Sequence, residues 1–228
     1  AEFAGEQDGV IPLVWIEEVM DRPFDGPKVS LVSADIAAQG EDKTVLAYRG
    51  GMGIERIERP PAQELMRTAE MVAHRTPRGG HAVVDGIGIG AGVVSRLRDL
   101  ATDGKFKVLP FIASERTTRM DASGTFGFTN KRSAAWWAMR ELLDPENDYG
   151  VSLPNDPELK GDLAAPGWRE VAGGKIQVES KDDIRKRLGR STDVGDAVVM
   201  AFWQDAPQVQ RRRLEGWRPE SRPSPWRP

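Results

Sequence analysis

Cysteine is absent from the chain, and histidine nearly so, with His74 and His81 its only two. The first absence excludes disulfides, thiolate zinc sites and a cysteine nucleophile. The second excludes a histidine-rich metal centre. Any metal chemistry therefore falls to oxygen ligands, the donors that suit Mg²⁺, Mn²⁺ or Ca²⁺. No apolar run approaches the length of a membrane span. The N-terminus, AEFAGEQDGV, has no basic segment leading into an apolar one, so no signal peptide is read there. It also lacks an initiator Met, which suggests a fragment or a cleaved chain.

What is present suffices for a core. The 228 residues are 39% hydrophobic, enough for one large domain or one domain with appendages. The net charge of −3 hides an asymmetry: residues 207–228 hold six Arg against two Glu, a local +4 that leaves −7 for the rest. An acidic body with a basic tail does not look like a simple DNA-coating protein. It is compatible with a carboxylate-rich metal site beside separate basic contacts. The expected organisation is a lead-in with a docking helix over 1–27, a main domain over 28–206, and a flexible Arg- and Pro-rich tail over 207–228.

The organising stretch is VSLVSADIAAQGEDKTVLAYRGG, Val29–Gly51. An apolar run ends on a single acid, Asp35, and small residues turn the chain into a second β-prone run, Val45–Tyr48. Gly50-Gly51 then turns it into a third, Met52–Glu58, so the grammar is that of a β-meander. A buried strand ending on a carboxylate asks for a partner or a metal, because isolated buried carboxylates are costly. Asp35 could equally cap the turn through local amides.

Pro60-Pro61 precedes an amphipathic helix near Ala62–His74, where His74 makes a favourable dipole contact at the C-terminus. His81–Val84 reads as a short buried strand ending on a second acid, Asp85. The glycine-rich run Gly86–Gly92 follows and leads into a helix. Gly86, Gly88 and Ala91 satisfy G-x-G-x-x-A, the loose dinucleotide fingerprint, but Asp85 stands where the pyrophosphate would approach. The glycines are read instead as clearing space beside Asp85 for a bulky ligand. Lys105–Ile112 is a further strand, which completes a parallel βαβ unit.

The segment Ala113–Asn130 has no clean period and carries Arg116 and Arg119, with Lys131 and Arg132 following. It is either a solvated loop or a basic loop suited to a phosphodiester backbone. Asn130 caps a helix over Lys131–Leu143, in which Trp136 and Trp137 are expected in the core. A short helix over Glu158–Ala164, a hairpin over Trp168–Val178 and a basic helix over Lys181–Arg190 come next. The last helix, STDVGDAVVMAFW, carries Asp193 and Asp196 three residues apart, on one face.

This order of elements predicts a sheet 3-2-1-4-5 with helices on both sides, and Asp35 and Asp85 at the carboxyl ends of adjacent parallel strands. A third acid from the last helix would complete a cluster. Converging carboxylates raise one another's proton affinity unless cations neutralise them. Two metals about 4 Å apart can activate a water and stabilise the leaving oxygen in phosphodiester hydrolysis.

Asp35 with EDKT behind it, Asp85 before its glycine turn, FTNKR, and KRLGRSTDVGDAVVMAFW together resemble the nuclease domain of a tailed-phage terminase large subunit. The resemblance spans roughly residues 10–206, and its most specific part is the closing D-x-x-D-A on a helix after R-L-G-R-S/T. That family is RNase H-like, so the resemblance implies an α/β fold with a five-stranded mixed sheet. It implies an endonuclease that cleaves concatemeric viral double-stranded DNA during genome packaging, with two Mg²⁺ or Mn²⁺ ions. By position, Asp35, Asp85 and Asp196 would be catalytic metal ligands, Asp193 an auxiliary acid and Asp42 a weaker accessory. The implied partners are double-stranded DNA, a terminase ATPase domain, a small terminase subunit and a portal protein, in the cytoplasm of an infected bacterial host. No G-x-x-x-x-G-K-[ST] occurs, so the chain reads as the nuclease half alone. The alternatives are a Holliday-junction resolvase, a sugar-kinase-like nucleotide-binding domain, and a non-catalytic protein with surplus acids.

Overall fold

The computed structural model describes residues 9–37, 43–86 and 88–203. Five strands form the main sheet: β1 (Leu31–Asp35), β2 (Val45–Gly50), β3 (Gly53–Glu58), β4 (Gly80–Asp85) and β5 (Phe106–Phe111). Their order is β3-β2-β1-β4-β5, as the pattern of runs and turns predicts. β1 pairs antiparallel with β2 and parallel with β4, and β4 pairs parallel with β5. Every residue of β1 and β2 is buried. That is the signature of strands covered on both faces, and it explains their near-continuous apolar composition.

Alternation along the strands sorts the two faces. Val32 and Ala34 of β1, and Ala82 and Val84 of β4, pack with Ala69, Val72, Val93 and Leu97. These belong to α2 (Leu65–Arg75) and α3 (Ile89–Leu100), which cover one face. Leu31 and Val83 point the other way, into a larger core shared with four more helices. Those are α1 (Leu13–Met20), α4 (Lys131–Leu143), α5 (Pro157–Ala164) and α7 (Asp193–Trp203), and α7 lies directly on β1 and β2. Asp35 and Asp85 have the parity of Leu31 and Val83, so both belong to the α7 face.

From Gly9 onward the lead-in is built into this same core. Val10, Ile11 and Ile16 are fully buried, and the Val10 amide donates to the Pro166 carbonyl. The segment before α4 is more ordered than its lack of period suggests. It contributes β6 (Gly127–Phe128), which joins β7 (Trp168–Val171) and β8 (Lys175–Val178) in a second sheet of order β6-β8-β7. Two residues are too few for a periodicity signal, yet Phe128 is buried. The Asp121 carboxylate accepts from the amides of Thr125 and Phe126, both at 2.8 Å, and this closes the turn ahead of β6. Trp136 is core, as expected, and Trp137 packs edge-on to Trp168 at 5.0 Å between ring centres. α6 (Lys181–Leu188) links the second sheet to α7 and ends at Gly189, whose φ is +73°. Among the described residues no helix is long and apolar enough to cross a membrane.

The glycine run after β4 serves the backbone before it serves any ligand. Gly88 takes φ +59° at the start of α3, a region that favours glycine. At Gly90 a Cβ would lie 1.8 Å from the Asp85 carbonyl oxygen, so the space there is filled by the chain itself. Alanine is the better helix former by about 1 kcal/mol, and on an open helix Gly90→Ala would stabilise. Here it should lower the urea midpoint, because either α3 or the end of β4 must move. A raised midpoint would show that the close approach is not required.

Candidate metal centre

β1 delivers Asp35 to the carboxyl edge of the sheet, and β4 delivers Asp85 next to it, one residue beyond the register pair Ala34–Val84. α7 presents Asp193 and Asp196 in its first turn. The positive end of the helix dipole there favours negative charge. The side chains of Asp35, Asp193 and Asp196 are all buried and converge on one ammonium. Lys181 Nζ lies 2.8 Å from Asp35 Oδ2, 2.7 Å from Asp193 Oδ1 and 3.8 Å from Asp196 Oδ2.

Asp196 is the most heavily partnered of the three. Its Oδ1 accepts from Trp136 Nε1 at 3.1 Å and pairs with Arg132 Nη1, while its Oδ2 accepts from the Thr192 hydroxyl at 3.0 Å. Burial opposes its ionisation, but Arg132 and Lys181 outweigh burial and hold its carboxyl below the usual range. Asp35 fares the other way. Burial pushes its carboxyl up to about 7 against the pull of Lys181, and Asp196 and Asp193 add to the rise. For Lys181, burial works against the charge, yet Asp35, Asp196 and Asp193 together raise its affinity for the proton. Three carboxylates face two cations, Lys181 and Arg132, so the cluster carries one negative charge in excess.

Asp193 is tied to the far side of the site as well. Its Oδ2 accepts from the Lys43 amide at 3.2 Å, where the chain returns toward β2. Asp42, the weaker accessory candidate, lies outside the described residues. Among the described residues no three acids or histidines stand in an arrangement that holds one ion directly. The reason is local: the Lys181 ammonium sits between the carboxylates and occupies a cation's place. The donor set still fits a hard divalent ion, since it is all oxygen and carries excess negative charge.

The four basic residues read as a DNA surface sit in different surroundings. Arg116 is exposed. Arg119 is half-buried, with its guanidinium 4.4 Å over the Trp203 ring. Lys131 pairs with Glu115 at 3.2 Å and lies beside the Phe111 and Trp203 rings. Arg132 is turned inward onto Asp196 and belongs to the acid cluster. Sequence reasoning missed Lys181, the counter-charge role of Arg132, and Thr192. Only Thr192, four residues before Asp196 on the same helix, carried a local signal.

No family model matches the chain, and no curated protein does. Solved structures do. The nuclease domain of the large terminase subunit gp2 of bacterial virus Sf6 matches with a TM-score of 0.69 and 20% identity, over 85% of this chain and 97% of that one. A mutant form of that domain with manganese and beta-thujaplicinol matches equally, at 0.69 and 20%, over the same 85% and 97%. The large terminase nuclease from thermophilic phage G20c with bound magnesium matches at 0.55 and 14%, over 87% of this chain and 98% of that one. The chain has the RNase H-like fold of these phage terminase nuclease domains.

The charge imbalance makes opposite predictions for two substitutions. A carboxyl whose proton affinity is raised on folding loses stability as pH rises from the ordinary 3.8 to about 7. In chelator at pH 8, Asp35→Asn should therefore melt above wild type, by roughly 2–4 °C for each kcal/mol relieved, and the two should converge near pH 4. Lys181→Met should melt below wild type in chelator, since it leaves the acids unopposed, and should gain more from Mn²⁺. If Asp35→Asn melts lower at pH 8, Asp35 is a structural turn acid.

Proposed function

We propose that the chain is a divalent-metal-dependent endonuclease that cuts the phosphodiester backbone of double-stranded DNA in phage genome packaging. The observation that carries this reading is the convergence of Asp35, Asp193 and Asp196 on one cation position, on the fold of phage terminase nuclease domains. Asp35, Asp85 and Asp196 would hold two Mg²⁺ or Mn²⁺ ions, with Asp193 auxiliary. When bound, such ions lower the proton affinity of a water nucleophile and stabilise the leaving oxygen.

The chain's own groups prepare that site. Arg132, Trp136 and Thr192 hold the Asp196 carboxylate ionised and fixed in direction, as partners behind a ligand do. Lys181 keeps Asp35, Asp193 and Asp196 together when no ion is present, and an entering ion competes with it for the same oxygens. Asp85, half-buried at the end of β4, completes the acid set from the neighbouring strand. The substrate reading extends to concatemeric viral DNA. The partners would be a terminase ATPase domain, a small terminase subunit and a portal protein in the infected host's cytoplasm.

Plasmid nicking with Mn²⁺ tests the activity. Asp35→Asn, Asp85→Asn and Asp196→Asn should each cost more than the roughly 10–100-fold that changes behind a ligand cost. A variant that cuts at near wild-type rate is not a ligand. Arg116, the exposed member of the basic set, supplies the test of DNA contact. Arg116→Ala should weaken binding uniformly across sequences and lower the salt slope by roughly one. An unchanged slope would remove Arg116 from the DNA surface.

A further inference from the structure

The first turn of a helix leaves amides without intrahelical partners, and a Thr just before it usually supplies the missing acceptor from its hydroxyl. α7 departs from that arrangement. The Thr192 hydroxyl, in the N-cap position, donates to Asp196 Oδ2 at 3.0 Å. The amides of Val194 and Gly195 are answered instead by Asp162 Oδ2, at 3.0 and 3.1 Å. Asp162 comes from the last turn of α5 and is fully buried. Its other oxygen pairs with Arg190 Nη1, from the segment that leads into α7.

Two features set this contact apart from incidental packing. Burial pushes the Asp162 carboxyl above its ordinary range in spite of Arg190, and a buried carboxylate persists only where its oxygens are satisfied. Gly195 makes the approach possible. A Cβ there would stand 2.9 Å from Asp162 Cβ and 3.2 Å from Trp136 Cη2, so α5 could not come within capping distance of a larger residue.

We propose that Asp162 is a positioning residue for the metal centre: it holds the start of α7 so that Asp193 and Asp196 face Asp35, while Thr192 is released to orient Asp196. This rests on the reading of Asp193 and Asp196 as metal-binding acids. Asp162 touches no substrate and no reacting atom, and its effect passes through the α7 backbone.

The test measures the Mn²⁺ dissociation constant of the full chain by calorimetry, below the melting temperature of each variant. The variants are Asp162→Ala, Asp162→Asn and a remote core control, Leu97→Ala, on the opposite face of the sheet. Asp162→Ala should weaken Mn²⁺ on the order of tenfold, as other groups that orient ligands from behind do. Asp162→Asn should fall between, since its amide oxygen can still accept from Val194 and Gly195 but carries no charge, and its amide nitrogen cannot accept from Arg190. Leu97→Ala should destabilise the fold and leave the constant unchanged. Wild-type affinity in Asp162→Ala, or an equal loss in Leu97→Ala, overturns the proposal. Should Asp162→Ala fail to fold, amide exchange decides: Val194 and Gly195 should exchange slowly in wild type and faster in Asp162→Asn, and equal rates overturn it. A wild type that binds Mn²⁺ without cutting DNA sinks the nuclease reading and leaves this one intact. A wild type that binds no Mn²⁺ overturns this one.

Discussion

The α7 face of the sheet is governed by one imbalance: three buried carboxylates against two partly buried cations. Lys181 spans Asp35 and Asp193 at 2.8 and 2.7 Å, and Arg132 is committed to Asp196. Partial neutralisation of this kind holds like charges together without satisfying them. The residual strain falls on Asp35, whose carboxyl burial drives up to about 7. A divalent ion brings the charge the cluster lacks, through the hard oxygen donors it already presents. Binding of that ion to the native state alone would then stabilise the fold by mass action.

The rest of the fold can be read as what it takes to hold that imbalance in place. β1 must be central, so that Asp35 is flanked by β2 and by the parallel strand that carries Asp85. α7 begins beside the end of β1, where the start of a helix favours the two acids of its first turn. Its amides are then needed twice, by the charges in that turn and by the backbone, and Asp162 answers the backbone from α5. The opposite face, under α2 and α3, is filled by Val, Ala and Leu side chains with Tyr48 and Phe106. The acids are therefore confined to one face of the sheet, which also holds the larger of the two cores.

How much of this is legible in the sequence depends on the range over which each signal acts. Sheet order follows from local grammar: alternating apolar runs, the Gly50-Gly51 turn, and a helix between parallel strands. Asp35 stands out as a lone charge in an otherwise apolar strand, and Asp193 and Asp196 as the two charges of an otherwise apolar helix, contradictions visible within a few residues. β6 is two residues long and has no period to detect. Lys181 and Arg132 belong to basic stretches that read equally well as solvated faces. Their inward orientation is set by acids 146 and 64 residues away. Arg132 is turned toward Asp196 for that reason: a cation beside an unbalanced carboxylate is drawn to it.

That competition bears on how a polyanionic substrate would be met. Lys181 and Arg132 are spent on neutralising the acids, so the substrate's charge must be balanced by groups outside the cluster. Arg116 is exposed and fits that role, whereas Arg119 and Lys131 are partly engaged by the Trp203 ring. Burial holds the Arg119 guanidinium below its ordinary proton affinity, and Lys131 also pairs with Glu115 at 3.2 Å. Arg132 cannot leave Asp196 without stranding a buried charge, a loss of about 3–5 kcal/mol. The basic residues thus differ in attachment: Arg132 is fixed to Asp196, Arg119 and Lys131 are held by the Trp203 ring and Glu115, and Arg116 is exposed.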